Sequence, residues 1–158
     1  MRAWPAAIAL LAIGCAARTP PRGLSPEGAP AAAPRALRDG VYTVEQSRRG
    51  EEIYFTTCVR CHKAEMTGSQ IVPPLVGEPF LDRWSRKTAG DLFEWVRTSM
   101  PPGDAATKLP RQEYADVLAY ILSRNDFPAG HDELAADFGA LQTIRITPDP
   151  GQPDGTSY

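Results

Sequence analysis

The stretch Cys58-Val59-Arg60-Cys61-His62 holds two of the three cysteines and one of the two histidines of this 158-residue chain. Two thiols at this spacing can add to the two vinyl groups of one haem, and the histidine that follows is then held against the iron. The same pair of thiols also suits a zinc site or a dithiol redox pair. The surrounding sequence has to distinguish these chemistries.

The alternatives to haem find little support along the chain. Zinc requires further Cys or His ligands at motif spacing, and only Cys15 and the distant His131 remain. A thioredoxin-like pair follows a buried strand, whereas a helix-like segment precedes Cys58. A purely structural cysteine pair is the third alternative. We therefore predict one covalently attached haem c, with Cys58 and Cys61 as its attachment points and His62 as an axial ligand.

A sixth iron ligand must approach the ring from the face opposite His62. Met100 lies far enough along the chain to reach that face, and Pro101 and Pro102 stiffen the backbone beside it. Met66 follows His62 too closely, and the alternative role for Met100 is that of an ordinary core methionine. A His/Met pair raises the reduction potential relative to two histidines and leaves no open coordination position. The sequence thus predicts an electron carrier rather than an enzyme.

Both ends of the chain are predicted to lie outside the folded domain. Residues 1–14 have the layout of a bacterial export signal, and the run that ends at Cys15 resembles a lipobox, in which Cys15 carries the lipid. A plain secretory signal is the alternative. Residues 15–40 are rich in Pro, Ala and Gly and predict a flexible tether, residues 41–140 the domain, and residues 141–158 an extended tail. Both kinds of signal export the chain to the periplasmic side.

Helical patterns fill most of the predicted domain. Thr43 fits the cap of a helix of about four turns that leads into Cys58, and Thr88 with Asp91 marks a second helix start. The strongest periodicity follows Pro110, and its apolar positions are Tyr114, Val117, Leu118, Ile121 and Leu122.

Charge and cysteine content exclude two classes of protein. Lys and Arg number 17 against 19 Asp and Glu, a formal net charge of -2, so no basic surface for nucleic acid is indicated. Three unevenly placed cysteines do not fit a disulfide framework.

Taken together, residues 40–134 resemble the class I cytochrome c family. Gly50 and Tyr54 precede Cys58 by eight and four residues, as the family's glycine and aromatic do where its first helix meets the last, here residues 116–121. The resemblance implies an all-α class I cytochrome c fold of three to five helices around one covalent haem c, with the N- and C-terminal helices of the domain crossing.

The resemblance also implies contacts around the cofactor. Pro73 stands where the family uses a proline carbonyl to accept a hydrogen bond from Nδ1 of the proximal histidine, here His62. Trp84 and Arg86 stand where related proteins place partners of the haem propionates. The alternative is a core tryptophan and a solvated arginine.

A narrower likeness is to small cytochromes associated with quinoprotein (PQQ-dependent) dehydrogenases. It is carried by residues 40–43, 91–93, 100–102 and 127–130. It implies a carrier that takes single electrons from a separate periplasmic dehydrogenase and passes them to an oxidase, another cytochrome or the respiratory chain. Cys15 would hold that carrier at a membrane. Two alternatives stay open: an electron-entry subunit of a larger oxidoreductase complex, and a haem sensor or peroxidase-like protein with a displaceable Met100.

Overall fold

Six α-helices form the framework of the computed structural model, which describes residues 35–104 and 108–147. The helices are α1 Val44–Ile53, α2 Val59–His62, α3 Glu78–Trp84, α4 Ala89–Ser99, α5 Arg111–Ser123 and α6 Phe138–Gln142. A π-helical segment, Tyr54–Cys58, joins α1 to α2. The mainly helical architecture confirms the predicted all-α class.

Two short strands accompany the helices. Strand β1, Arg35–Ala36, pairs in parallel with β2, Ile144–Arg145, and a single 3-10 turn, Leu37–Asp39, follows β1. The sequence did not predict this pairing, because two-residue strands carry no alternating pattern.

Helix α1 begins where the sequence places it. The Thr43 hydroxyl accepts a hydrogen bond from the Gln46 amide at 3.1 Å and so caps the first turn. The helical path then continues without a break through the π-helical segment into α2. If this stretch is counted as one long helix, the described chain has five helices, within the predicted three to five.

Helices α1 and α5 pack directly against each other at Gly50. A Cβ atom at Gly50 would lie 1.8 Å from the Asp116 carbonyl oxygen, so only glycine allows the two backbones to approach this far. Four residues further along, the Tyr54 and Tyr120 rings meet edge to face at 5.5 Å. This contact brings the start of the cysteine motif against α5, which is buried along most of its length.

Residues 35–40 and 141–147, which the sequence placed in the tether and the tail, pack against the domain instead. Leu37 is completely buried, as are Leu141 and Ile146, and Ile144 is nearly so. These few apolar positions form no run of the length that a helix or strand pattern needs, so composition and periodicity did not predict their burial. The folded domain therefore extends beyond 41–140 at both ends.

The remaining terminal predictions lie outside the described residues: the export signal, Cys15, the tether up to residue 34, and the tail from residue 148. Across residues 35–104 and 108–147, no helix combines the length and the apolar character that crossing a membrane requires.

Candidate haem-binding site

A cavity of about 290 Å³ opens between α2, the loop that follows it, the end of α4 and one face of α5. Most of the side chains that line it are apolar. The lining consists of Thr57, Cys58, Cys61, His62, Ile71, Val72, Pro73, Leu75, Trp95, Val96, Met100, Pro101, Pro102, Leu109, Tyr114, Val117 and Ile121.

The structure brings together five of the six residues predicted to contact haem. Cys58, Cys61, His62, Pro73 and Met100 all line this one cavity, although Met100 is remote in sequence from the other four. The sixth, Trp84, is buried but does not belong to the lining. Its contact with a haem propionate stays a prediction.

The chain turns sharply after the histidine of the motif. Lys63 has a positive φ of 66°, which ends α2, and the Tyr54 hydroxyl donates to the Lys63 carbonyl at 2.6 Å. The Gly68 amide then donates to the His62 carbonyl at 3.3 Å. These bonds fold the following loop back over α2, which is how Pro73 comes to face His62.

The His62 imidazole is oriented by this loop. Its Nδ1 lies 3.2 Å from the Pro73 carbonyl oxygen, and the residue is 7% exposed. Burial lowers the pKa of His62, while the contact with Pro73 opposes that shift. A neutral ring that donates from Nδ1 has its free lone pair on Nε2, the state in which an imidazole binds iron.

The electrostatics of the cysteine pair argue against a redox dithiol. Burial, and to a lesser degree the neighbouring Cys61, raise the pKa of the Cys58 thiol to about 11. A reactive dithiol requires a lowered pKa, because the thiolate is the nucleophile. The zinc alternative also lacks ligands, since the described residues contain no group of three or more His, Cys, Asp or Glu side chains placed to hold a metal ion.

Asn125 holds in place the loop that contains Pro73, a role that sequence reasoning missed. Its Nδ2 donates to the carbonyls of Leu75 and Ile121, both at 2.8 Å, and its Oδ1 accepts from the Gly77 amide at 2.9 Å. One side chain thus ties the segment after Pro73 to the end of α5. A lone asparagine at a helix end gives no sequence signal for a contact this remote.

The backbone of Met100 is held by two side chains that the sequence also did not single out for this role. The Tyr114 hydroxyl donates to the Met100 carbonyl at 2.7 Å, and Lys108 Nζ contacts neighbouring carbonyls. The Met100–Pro101 peptide bond is cis.

An aromatic and cationic cluster backs the cavity on the α4 side. Trp95 lines the cavity, and its ring meets that of Trp84 at 5.9 Å in an edge-to-face arrangement. The Arg83 guanidinium lies over the Trp95 ring at 4.9 Å from its centre. Trp84 therefore packs behind the lining, and Arg86, the other predicted propionate partner, is exposed.

These residues fit a covalently attached haem. Two thiols stand on one wall of an apolar cavity beside a neutral imidazole, and the lining also includes a thioether, the soft ligand found opposite histidine in cytochromes. The fold and the site together define a c-type cytochrome domain that binds one haem c.

The comparison with known families points the same way. Residues 45–121 match the family model described as cytochrome c oxidase, cbb3-type, subunit III, and this part of the chain is a class I monohaem cytochrome c domain. No curated protein and no solved structure matches the chain. The family match also indicates electron transfer rather than enzymatic catalysis.

Proposed function

We propose that this cytochrome is an exported single-electron carrier in which His62 and Met100 are the axial ligands of the haem iron. The observation that carries the proposal is the presence of both side chains, together with Cys58 and Cys61, in the lining of one cavity. When bound, the haem supplies one-electron chemistry through its iron. The protein residues orient and shield it.

Each part of the lining has a distinct task in this proposal. Cys58 and Cys61 fix the ring covalently, and the Pro73 carbonyl holds the His62 imidazole in the tautomer that presents Nε2. Apolar side chains such as Val96, Val117 and Ile121 keep water away and lower the local polarity, which favours the less charged ferrous state. A protein ligand on each face leaves no position for substrate.

The ligand assignment is tested by the optical spectrum of Met100→Ala. The wild-type ferric protein should show a weak band near about 695 nm, and ferric Met100→Ala should lack it. In the reduced state, Met100→Ala should bind carbon monoxide quickly and the wild type should not. Met66→Leu is the matched control, because Met66 is fully buried but does not line the cavity. It should keep the band.

Other results would overturn the ligand assignment. A band that survives in Met100→Ala, or a wild-type spectrum without it, excludes methionine as the ligand. Rapid carbon monoxide binding by the reduced wild type would favour the sensor or peroxidase-like alternative.

The second candidate function is that of an electron-entry subunit within a larger oxidoreductase complex. It is favoured by the family match, since that family is described as an oxidase subunit. Size-exclusion chromatography of gently solubilised membranes separates the two candidates. A free carrier elutes at the size of one mature chain, or at its detergent-bound size, whereas a subunit elutes with its partner proteins.

Export and redox partners belong to the same proposal. The lipobox-like run supports a lipid anchor at Cys15, and the likeness to cytochromes of quinoprotein dehydrogenases supports a periplasmic dehydrogenase as the electron donor and an oxidase or second cytochrome as the acceptor. Reduction of the purified protein by candidate dehydrogenases with their substrates, followed by stopped-flow spectroscopy, tests the donor.

A further inference from the structure

The segment that carries Met100 cannot supply hydrogen-bond donors for all of its own backbone carbonyls. Met100 directly follows the end of α4, where the last carbonyls of the helix have no intrahelical partner. Pro101 and Pro102 come next, and neither has an N–H group to donate. The carbonyls of Thr98, Met100 and Pro101 therefore need donors from elsewhere, and we call residues 98–101 the methionine segment.

Tyr114 supplies one of these donors from a rigid position. Its hydroxyl donates to the Met100 carbonyl at 2.7 Å and accepts from the Leu109 amide at 3.2 Å, while its side chain is almost completely buried. Tyr114 lies in the first turns of α5, which is anchored against α1 at Gly50. The Met100 carbonyl is thus tied to a helix that is buried along most of its length.

Lys108 supplies the other donors. Its ammonium group lies 3.1 Å from the Thr98 carbonyl oxygen and 3.0 Å from that of Pro101, with the Met100 carbonyl oxygen more distant at 3.5 Å. A cation at this place also interacts favourably with the C-terminal end of α4. The two shorter contacts join the methionine segment on both sides of Met100.

We propose that Tyr114 and Lys108 are positioning residues that hold the main chain of Met100, and thereby oppose the displacement of its thioether by other ligands. The proposal rests on the proposed function, because it takes Met100 to be an iron ligand. Tyr114 also lines the cavity, but the hydrogen bonds that matter here run from both residues to main-chain carbonyls and not to the cofactor. Each acts on the backbone that carries the ligand.

The experiment is an imidazole titration of the ferric full-length holoprotein, followed at the Soret band in every variant and also at the band near about 695 nm in those that keep Met100. Tyr114→Phe keeps the buried ring but removes both hydrogen bonds of the hydroxyl. Since one hydrogen bond of ordinary net strength changes an equilibrium constant by about fivefold, the variant should bind imidazole roughly five- to tenfold more tightly. Lys108→Met should act in the same direction, and Lys108→Arg, which keeps a cationic donor, should stay closer to the wild type.

Tyr120→Phe is the matched control. Tyr120 is another buried tyrosine of α5, but its hydroxyl accepts from Arg124 and makes no bond to the methionine segment. Tyr120→Phe should leave the imidazole affinity unchanged, even if thermal unfolding shows that the variant is less stable than the wild type. A general loosening of the domain would instead affect both tyrosine variants alike.

The possible outcomes separate this proposal from the ligand assignment on which it rests. If wild type and Met100→Ala bind imidazole equally tightly, methionine is not the ligand and both proposals fall. If the wild type binds imidazole more weakly than Met100→Ala, but Tyr114→Phe and Lys108→Met match the wild type, only the positioning role is overturned. Lys108 is half-buried, so its variants keep the test available should Tyr114→Phe not fold.

Discussion

Asp116 is a buried carboxylate on α5 that connects two helices by hydrogen bonds. Its oxygens accept from Arg49 Nε at 3.0 Å, from Gln112 Nε2 at 3.0 Å and from Gln46 Nε2 at 3.2 Å, and its side chain is 5% exposed. Burial by itself raises the pKa of Asp116, but the three donors outweigh it and hold the pKa below the ordinary value of 3.8. The charged form therefore stabilises the fold.

The lowered pKa gives a prediction about pH. A carboxyl group whose pKa is lower in the folded than in the unfolded protein contributes stability above its unfolded pKa, and this contribution is lost as the pH falls through the folded pKa. Asp116→Asn should lower the free energy of unfolding by about 1–3 kcal/mol at pH 7, and the difference from wild type should shrink below pH of about 4. Denaturant unfolding at pH 7, 5 and 3.5 measures it.

Glu133→Gln is the control for this prediction. Glu133 also bonds to Arg49, at 2.9 Å, but its side chain is 47% exposed, so its loss should cost less than about 1 kcal/mol. If Asp116→Asn differs from wild type by the same amount at pH 7 and pH 3.5, the charge of Asp116 contributes nothing.

At the scale of single elements, the segment before α1 belongs to the folded domain. Leu37 is fully buried, the Tyr42 hydroxyl donates to the Phe127 carbonyl, and the Gly130 amide donates to the Tyr42 carbonyl at 2.7 Å. Leu37→Ala should lower the free energy of unfolding by about 2–4 kcal/mol, because it leaves a cavity in a packed region. Thermal or denaturant unfolding of the haem-loaded protein measures the loss.

A matched variant makes this prediction specific. Val44 stands at the start of α1 and is 52% exposed, so Val44→Ala should change the stability by less than about 0.5 kcal/mol. If Leu37→Ala is equally mild, residues 35–40 behave as the tether that the sequence suggested, and the packing of this segment contributes no stability.

The elements that the sequence predicted share a local cause. The capping bonds at Thr43 and Thr88 join residues three positions apart, and the apolar face of α5 repeats with the helical period, so a short window of sequence contains all the information. The pairing of β1 with β2 joins opposite ends of the domain through four residues. No local pattern can specify such a contact.

The same distinction applies to the site as a whole. The spacing of Cys58, Cys61 and His62 is itself the chemistry of haem attachment, so the motif could be found from sequence alone. Met100 could be proposed from reach and from the absence of better ligands. The donors that fix the loops, Asn125 and Lys108, act through contacts with backbone carbonyls, and carbonyls carry no sequence signature.

At the scale of the whole molecule, membrane attachment and electron transfer are separable in the proposed protein. Cys58, Cys61, His62 and Met100 line one cavity of the described domain, whereas the proposed anchor, Cys15, lies outside the described residues. Cys15→Ser should therefore move the protein from the membrane fraction to the soluble periplasmic fraction, while its optical spectrum and haem content stay unchanged. Cell fractionation followed by haem staining of the separated proteins measures both properties in one experiment.

Two other results would contradict the anchor in different ways. A wild-type protein already found in the soluble fraction indicates a plain secretory signal, because a lipidated chain partitions to a membrane. A Cys15→Ser protein that stays in the membrane fraction indicates attachment through a partner protein, which would favour the complex-subunit alternative. A salt wash then decides the kind of contact, since charged contacts weaken as the ionic strength rises and apolar ones do not.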